Sequence, residues 1–120
     1  MKIKVLVFNA LEGFIYKNKE GKYRVSDRQK IAQEIIKKED PDILVLTEAN
    51  FCVKTPNKPL QNYKRIFGYK HGIFGSDWDW GVGILSKYPI TEAYDYTTKH
   101  SLFVIAIVKI ICKEITIDGV

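Results

Sequence analysis

The sequence predicts an α/β fold with a mixed β-sheet, in which a βαβ unit is followed by antiparallel strands. Two apolar runs, residues 3–8 and 42–46, flank one segment with helical periodicity, as expected of a βαβ unit. After residue 50, short apolar runs alternate with Gly- and Asp-containing turns, a pattern typical of consecutive antiparallel strands. We therefore expect an α/β sandwich with one mixed sheet.

The first 50 residues contain the clearest elements. Residues 3–8 predict a strand covered on both faces, and residues 14–25 predict a small hairpin with Glu20-Gly21 at its turn. A helix follows, capped by Ser26 with Gln29 completing a capping box, and it ends before Pro41. Its predicted buried stripe consists of Ile31, Ala32, Ile35 and Ile36.

The βαβ unit places two polar side chains together. Its two strands are expected to be parallel and adjacent, so that their carboxyl ends open on the same edge of the sheet. Asn9 ends the first strand, and Glu48 follows the second. Because ligands usually bind at that edge, both residues are candidates for a site.

The second half of the chain is predicted to be mainly β. A loop with Pro56 and Pro59 comes first, and helical periodicity is weak beyond it. The predicted strands cover residues 63–71, 81–86, 91–96, 103–111 and 114–117.

Composition limits the class of protein. A chain of 120 residues with 46% hydrophobic content suits a single domain over residues 1–120. The net charge of +5 favours an anionic partner such as a phosphate ester, nucleic acid or a membrane headgroup, although it also serves solubility. Cys52 and Cys112 have no paired spacing, which argues against a zinc site or a disulfide framework and favours a cytoplasmic location. No apolar stretch approaches the roughly 20 residues of a membrane span.

Three segments carry a family resemblance: "VLVFNALEG" with Asn9, "PDILVLTEAN" with Glu48, and "GVGILSKYPI" from Gly81 to Ile90. In this order and spacing they resemble the amino-terminal half of the endonuclease/exonuclease/phosphatase superfamily. The resemblance implies a DNase I-like sandwich and a metal-dependent phosphoesterase. In "GVGILSKYPI" the glycines are expected to permit close packing, without a chemical role.

The resemblance implies roles for individual residues. Glu48 matches the metal-binding glutamate, for Mg²⁺ or Mn²⁺, and the competing interpretation is an ordinary acid at a strand end. Asn9 matches the asparagine that helps to hold the phosphate or a metal-bound water, and the competing interpretation is a turn residue. Asn50 is assigned to the loop that follows the strand.

Weaker candidates for substrate binding are Arg28 on the helix and Trp80 in the segment "GSDWDWG". Trp78 or Trp80 can stack on a base or sugar, or can simply anchor the loop to the sheet. The lysines between Lys58 and Lys70 either follow a phosphate backbone or form the solvated face of an amphipathic strand. His71 and His100 are expected to have surface or packing roles.

The later motifs of the superfamily, an Asp-x-Asn and a terminal Asp-His, do not occur in this sequence. We therefore expect a truncated domain that is incomplete as a catalyst. Its phosphate-ester substrate stays open between nucleic acid, phosphoinositide, sphingolipid and nucleotide, and the basic charge favours nucleic acid. The alternative is a non-catalytic module that binds a partner through an uncovered apolar face, centred on residues 103–110. Self-association or a complementary second half is the expected cover for that face.

Overall fold

The computed structural model describes residues 2–50, 58–76, 81–95 and 104–108. Helix α1 spans Arg28–Glu39 and α2 spans Pro59–Phe67. The described strands are β1 Val5–Asn9, β2 Ile15–Lys17, β3 Tyr23–Val25, β4 Ile43–Thr47, β5 His71–Ser76, β6 Gly81–Ser86, β7 Ile90–Asp95 and β8 Val104–Val108.

The main sheet is mixed, as predicted. Its strand order is β1-β4-β6-β5, with β1 and β4 parallel and the other two pairings antiparallel. The βαβ unit is therefore confirmed, since α1 connects two adjacent parallel strands. Strands β7 and β8 form an antiparallel ribbon that contacts β5 and β6. The short hairpin predicted within residues 14–25 is formed by β2 and β3.

Both helices contribute to the core on one face of this sheet. The core combines side chains of α1, α2, β4 and β6, and its largest fully buried aliphatic members are Leu44, Leu46 and Leu85. On β1 the other face is open, because Val5 and Val7 are 55% and 63% exposed. Alternate residues of a strand point to opposite faces, so β1 has one packed and one exposed side. The prediction that this strand is covered on both faces is therefore wrong.

The predicted strand over residues 63–71 is wrong. Residues 59–67 form α2, and the strand β5 begins only at His71. The alternation of basic and aromatic residues suggested a period of two, but Leu60, Tyr63 and Phe67 follow the helical spacing and face the core. Pro59 lies in the first turn, and Gly68 ends the helix with a left-handed φ of 77°.

Helix α1 differs from the prediction in two details. Only Ala32 and Ile36 of the expected stripe are buried, whereas Ile31 and Ile35 are 53% and 40% exposed, because the helix contacts the core along a narrow line. The N-cap is Asp27 and not Ser26, although the Ser26 hydroxyl accepts a hydrogen bond from the Arg28 N–H at 3.2 Å. The Ser26 N–H donates to the Phe14 carbonyl at 2.6 Å, so it is not available to complete a capping box.

Two other predicted strands are confirmed with shifted ends, since β7 and β8 lie within or beside residues 91–96 and 103–111. Residues 114–117, Cys52, His100 and Cys112 lie outside the described residues, as do the side chains of β8. In the described part of the chain, no helix is long and apolar enough to cross a membrane.

Candidate functional site

The carboxyl ends of β1 and β4 meet at one edge of the main sheet. Asn9 is the register partner of Thr47, and the Ala10 N–H donates to the Thr47 carbonyl at 2.8 Å. Asn9 and Glu48 therefore come from neighbouring strand ends, the placement that the βαβ topology predicts. We call this edge the carboxyl-end site, defined by Asn9, Glu48, Asn50 and the turn over residues 11–14.

Glu48 has an unusual backbone and an uncompensated side chain. Its φ is +50°, a left-handed conformation that costs a non-glycine residue about 1–3 kcal/mol. Among the described residues, its half-buried carboxylate has no ion-pair or hydrogen-bond partner. Its carbonyl oxygen accepts a hydrogen bond from the Gly13 N–H at 2.7 Å, which fixes the strained backbone against the neighbouring turn.

The turn after β1 is left-handed throughout. Leu11, Glu12, Gly13 and Phe14 have φ values of 41°, 58°, 71° and 66°. The Asn9 Oδ1 accepts a hydrogen bond from the Leu11 N–H at 2.8 Å, and so initiates the turn. Because a left-handed run is unfavourable for L-residues, its persistence depends on these hydrogen bonds and on the bond to Glu48.

Arg28 supports this turn from the first residue of α1. Its Nη2 donates to the Leu11 carbonyl at 3.1 Å, and its guanidinium lies 6.0 Å from the centre of the Phe14 ring. Phe14 is fully buried, so these contacts hold Arg28 beside the turn. The structure thus brings Arg28 to the same end of the molecule as Asn9 and Glu48, in contact with the turn.

Asn50 is a residue that sequence reasoning did not select. Its Oδ1 is buried and has no hydrogen-bond partner among the described residues. The Ala49 N–H donates to the Gly81 carbonyl at 2.8 Å, and the Tyr63 hydroxyl donates to the Ala49 carbonyl at 3.2 Å. These bonds pull the segment after β4 inward, where an unpaired amide oxygen is costly unless a donor or cation meets it.

The burial of Asn50 could not be recognised from its neighbours in the sequence, because it results from a close approach to Gly81. A Cβ on Gly81 would lie 3.0 Å from the Asn50 Cα and 2.6 Å from the Phe74 Cζ. Only glycine fits there, which confirms the close-packing role expected of "GVGILSKYPI" at Gly81. At Gly83 a Cβ would make ordinary contacts, 3.4 Å from the Phe74 Cδ2. Gly81 itself is a sequence signal for a close approach, but the residue that it approaches, Asn50, lies some 30 residues earlier in the chain.

Other candidates are not part of the described site. Trp80 and its neighbours in "GSDWDWG" from 77 to 80 lie outside the described residues. The basic residues between 58 and 67 belong to α2, not to a strand, and His71 is half-buried at the start of β5.

The donor set at the carboxyl-end site suits a hard, hydrated cation. Over the described ranges, no three His, Cys, Asp or Glu side chains are grouped to hold a metal ion. Mg²⁺ commonly keeps several waters and uses only one or two carboxylates, so Glu48 fits such an ion, whereas an all-protein cage does not.

At the opposite edge, the amino ends of the same strands carry a compensated acidic group. The Asp42 Oδ2 accepts the Lys4 backbone N–H at 2.8 Å, while Oδ1 accepts the Tyr88 hydroxyl at 3.4 Å and lies 4.0 Å from the Lys87 Nζ. Its side chain is only 17% exposed. We call Asp42 and these three partners, together with Glu39 and Asp40, the amino-end cluster.

The remaining carboxylates of the amino-end cluster are also paired. The Lys4 Nζ lies 2.7 Å from the Glu39 Oε2, and this hydrogen bond lowers the pKa of the Glu39 carboxyl. The Lys87 Nζ lies 2.8 Å from the Asp40 Oδ1, and this hydrogen bond raises the pKa of the Lys87 ammonium. Each interaction favours the charged form, as expected for groups that act in stability.

Tyr69 lies beside the amino-end cluster in a buried position. Its hydroxyl donates to the Pro41 carbonyl at 2.8 Å. Burial, followed by the charges of Asp40 and Asp42, raises the pKa of Tyr69 to about 12. All three causes disfavour the phenolate, so this hydroxyl stays neutral and serves as a hydrogen-bond donor.

The model of the Endonuclease/Exonuclease/phosphatase family matches residues 6–118. No curated protein matches the chain. The family match includes every residue of the carboxyl-end site.

Proposed function

Because the chain belongs to the Endonuclease/Exonuclease/phosphatase family, we propose that it serves phosphoester hydrolysis with a divalent cation at the carboxyl-end site. The family supports the general reaction class, phosphoester cleavage. The observation that carries the finer proposal is the strained, half-buried Glu48, whose carboxylate has no partner among the described residues. Strained backbones of this kind cluster at functional sites.

Glu48 is the proposed ligand for Mg²⁺ or Mn²⁺. A single carboxylate at an open strand end supplies the hard oxygen that such ions prefer, and water completes their coordination. When bound, the ion would act as a Lewis acid towards a phosphoryl oxygen. The Asn50 Oδ1, buried without a described partner two residues later, supports a need for a donor or cation at this edge.

Asn9 is the proposed phosphate-holding residue. Its Oδ1 is committed to the Leu11 N–H, which fixes the orientation of the amide. The exposed Nδ2 is left as a donor, and no partner for it lies among the described residues. A fixed amide donor beside a cation suits an anionic phosphoryl oxygen. Arg28, through the Leu11 carbonyl, is proposed to position the same turn.

Proton transfer requires further groups. The Asp-x-Asn and Asp-His motifs of the family do not occur in these 120 residues. We therefore expect the chain alone to bind the cation and a phosphate ester without rapid turnover, and propose that a complementary segment or a partner supplies the missing groups. We also propose that residues 1–120 form the single domain that carries the site. The proposed location of this domain is the cytoplasm.

The test is direct titration of Mn²⁺, followed by electron paramagnetic resonance of the free ion. Wild-type protein should bind one ion, and Glu48→Gln should bind it at least about tenfold more weakly, because the substitution removes the charge and keeps the shape. Circular dichroism should be identical for the two proteins.

Glu34→Gln is the matched control, since Glu34 is an exposed carboxylate on α1, outside the carboxyl-end site. It should bind Mn²⁺ as the wild type does. Equal affinities in all three proteins would exclude Glu48 as the ligand, and equal losses in both variants would indicate non-specific attraction.

A further inference from the structure

The β2–β3 hairpin projects two aromatic side chains into solvent. Tyr16 and Tyr23 are 49% and 55% exposed. In the described part of the chain, Tyr94 on β7 is the other large exposed aromatic side chain, at 43%. Exposing a tyrosine gains nothing for folding, so two on one three-residue ribbon suggest a contact surface.

Cations accompany both tyrosines. The register pairs Tyr16 with Arg24 and Lys17 with Tyr23, and paired residues share a face of the ribbon. Each face therefore carries one tyrosine beside one cation, and the Lys17 Nζ lies 5.9 Å from the centre of the Tyr23 ring. Alternation of aromatic and cationic groups is the pattern with which proteins hold bases and phosphates.

The turn that joins the two strands is held by hydrogen bonds and carries a net positive charge, with Lys19 and Lys22 against Glu20. The Asn18 Oδ1 accepts the N–H groups of Glu20 and Lys22 at 3.0 and 2.9 Å, and Gly21 provides a φ of 78°. Lys19 and Lys22 project from this turn as exposed side chains. A pre-formed turn presents its charges with little loss of conformational entropy on binding.

A small cavity lies where the hairpin meets the carboxyl-end site. It has a volume of about 240 Å³ and is lined by Glu12, Ile15, Tyr16, Lys17 and Tyr23. This volume is below the roughly 300–1,000 Å³ of sites that enclose a whole small molecule. It suits one base, whose ring N–H or amino group can donate a hydrogen bond to the Glu12 carboxylate.

The hairpin is attached directly to the carboxyl-end site. Its first strand continues from the left-handed turn that is bonded to the Glu48 carbonyl. Its second strand leads to Ser26, whose N–H donates to the Phe14 carbonyl in the same turn. A polymer held by the hairpin would therefore pass close to Asn9 and Glu48.

We propose that the β2–β3 hairpin binds single-stranded nucleic acid, with Tyr16 and Tyr23 stacking on bases and Lys17, Lys19, Lys22 and Arg24 contacting phosphates. The inference rests on the proposed function for the reaction and adds the substrate class to it. Stacking requires unpaired bases, which is why a single strand suits this surface better than a duplex.

The experiment is fluorescence anisotropy with a labelled twelve-residue oligothymidylate in EDTA, so that binding is measured without a divalent cation. Each of Tyr16→Ala and Tyr23→Ala should weaken binding by at least about fivefold, the lower end expected for one lost stacking contact. The logarithm of the association constant should fall with the logarithm of salt concentration with a slope of about −3, as for four phosphates.

Three controls make the outcome decisive. Tyr94→Ala removes an equally exposed tyrosine elsewhere and should bind as the wild type does, whereas Tyr16→Phe and Tyr23→Phe should retain binding because the rings remain. The two alanine variants should bind Mn²⁺ normally, so that failure of the hairpin proposal is separable from failure of the metal proposal.

Some results would overturn the inference. Unchanged oligonucleotide binding in both alanine variants would do so, as would equal binding of a duplex of the same length. Loss of binding to phosphatidylserine vesicles, with oligonucleotide binding intact, would identify the hairpin as a membrane-surface contact instead.

Discussion

The two ends of the parallel strand pair β1 and β4 differ in how their acidic groups are treated. At the amino end, Asp42 accepts hydrogen bonds from Lys4 and Tyr88, and Lys87 lies nearby. At the carboxyl end, Glu48 has no described side-chain partner and a left-handed backbone.

This difference indicates that the two ends of the strand pair have different roles, one in folding stability and the other in ligand binding. A partly buried charge that is fully hydrogen-bonded contributes to folding, and its removal leaves donors unsatisfied. A partly buried charge without partners opposes folding, and it is retained where a ligand supplies the missing partner. The amino-end cluster therefore serves stability, and the carboxyl-end site is the place to look for a ligand.

The largest expected effect is the contrast between two alanine substitutions. Asp42→Ala should lower the free energy of unfolding by about 2–3 kcal/mol, because it removes a charged acceptor from the Lys4 N–H and the Tyr88 hydroxyl. Glu48→Ala should change it by less than about 0.5 kcal/mol in the absence of metal, since no described partner is lost. Urea denaturation measures both. Similar losses at the two positions would remove the distinction between the two ends.

A smaller effect should appear at alkaline pH. The pKa of Tyr69 in the folded protein is about 12, above the usual value of about 10 in an unfolded chain. The stabilisation that the neutral Tyr69 hydroxyl contributes is thus fully present below pH 10, and it is lost as the pH rises towards 12. We expect the stability difference between wild type and Tyr69→Phe to shrink by about 1 kcal/mol from pH 9 to pH 11.

Urea denaturation of both proteins at each pH tests this, because the phenylalanine variant corrects for every other titrating group. A difference that is constant over this pH range would mean that burial and the charges of Asp40 and Asp42 do not hold the Tyr69 hydroxyl in its neutral form.

The smallest expected effect concerns the strained backbone of Glu48. Glycine adopts a φ of +50° without penalty, whereas alanine does not. Glu48→Gly should therefore be more stable than Glu48→Ala by about 0.5 kcal/mol, after allowance for the greater flexibility of glycine in the unfolded chain. In an ordinary strand the order is reversed, so an alanine variant more stable than the glycine variant would show that position 48 is unstrained.

Much of this arrangement was predictable from local patterns. The apolar runs of β1 and β4, the periodicity of α1 and the position of Pro41 determine the βαβ unit, and topology then brings Asn9 and Glu48 to one edge. Helix α2 was missed because its basic and aromatic residues imitate strand alternation. Of its helical signals, Pro59 was assigned to a loop and Gly68 to the predicted strand over residues 63–71.

The lack of side-chain partners for Glu48 and the Asn50 Oδ1 among the described residues was not predictable, because it depends on tertiary contacts. Asn50 is buried by an approach to Gly81, and Glu48 is held in a left-handed conformation by a bond from Gly13. Neither contact has a signature in neighbouring residues. The exposure of Ile31 and Ile35 likewise depends on where α1 meets the core, which its own periodicity does not specify.

The measurement that tests the central claim most directly is the free energy of unfolding of wild type and Glu48→Gln as Mg²⁺ is added. Ligand at ten times its dissociation constant stabilises a folded protein by about 1.4 kcal/mol. We predict a gain of this size for the wild type and little gain for Glu48→Gln. Equal gains in the two proteins, or none in the wild type, would contradict the assignment of the carboxyl end as a cation site.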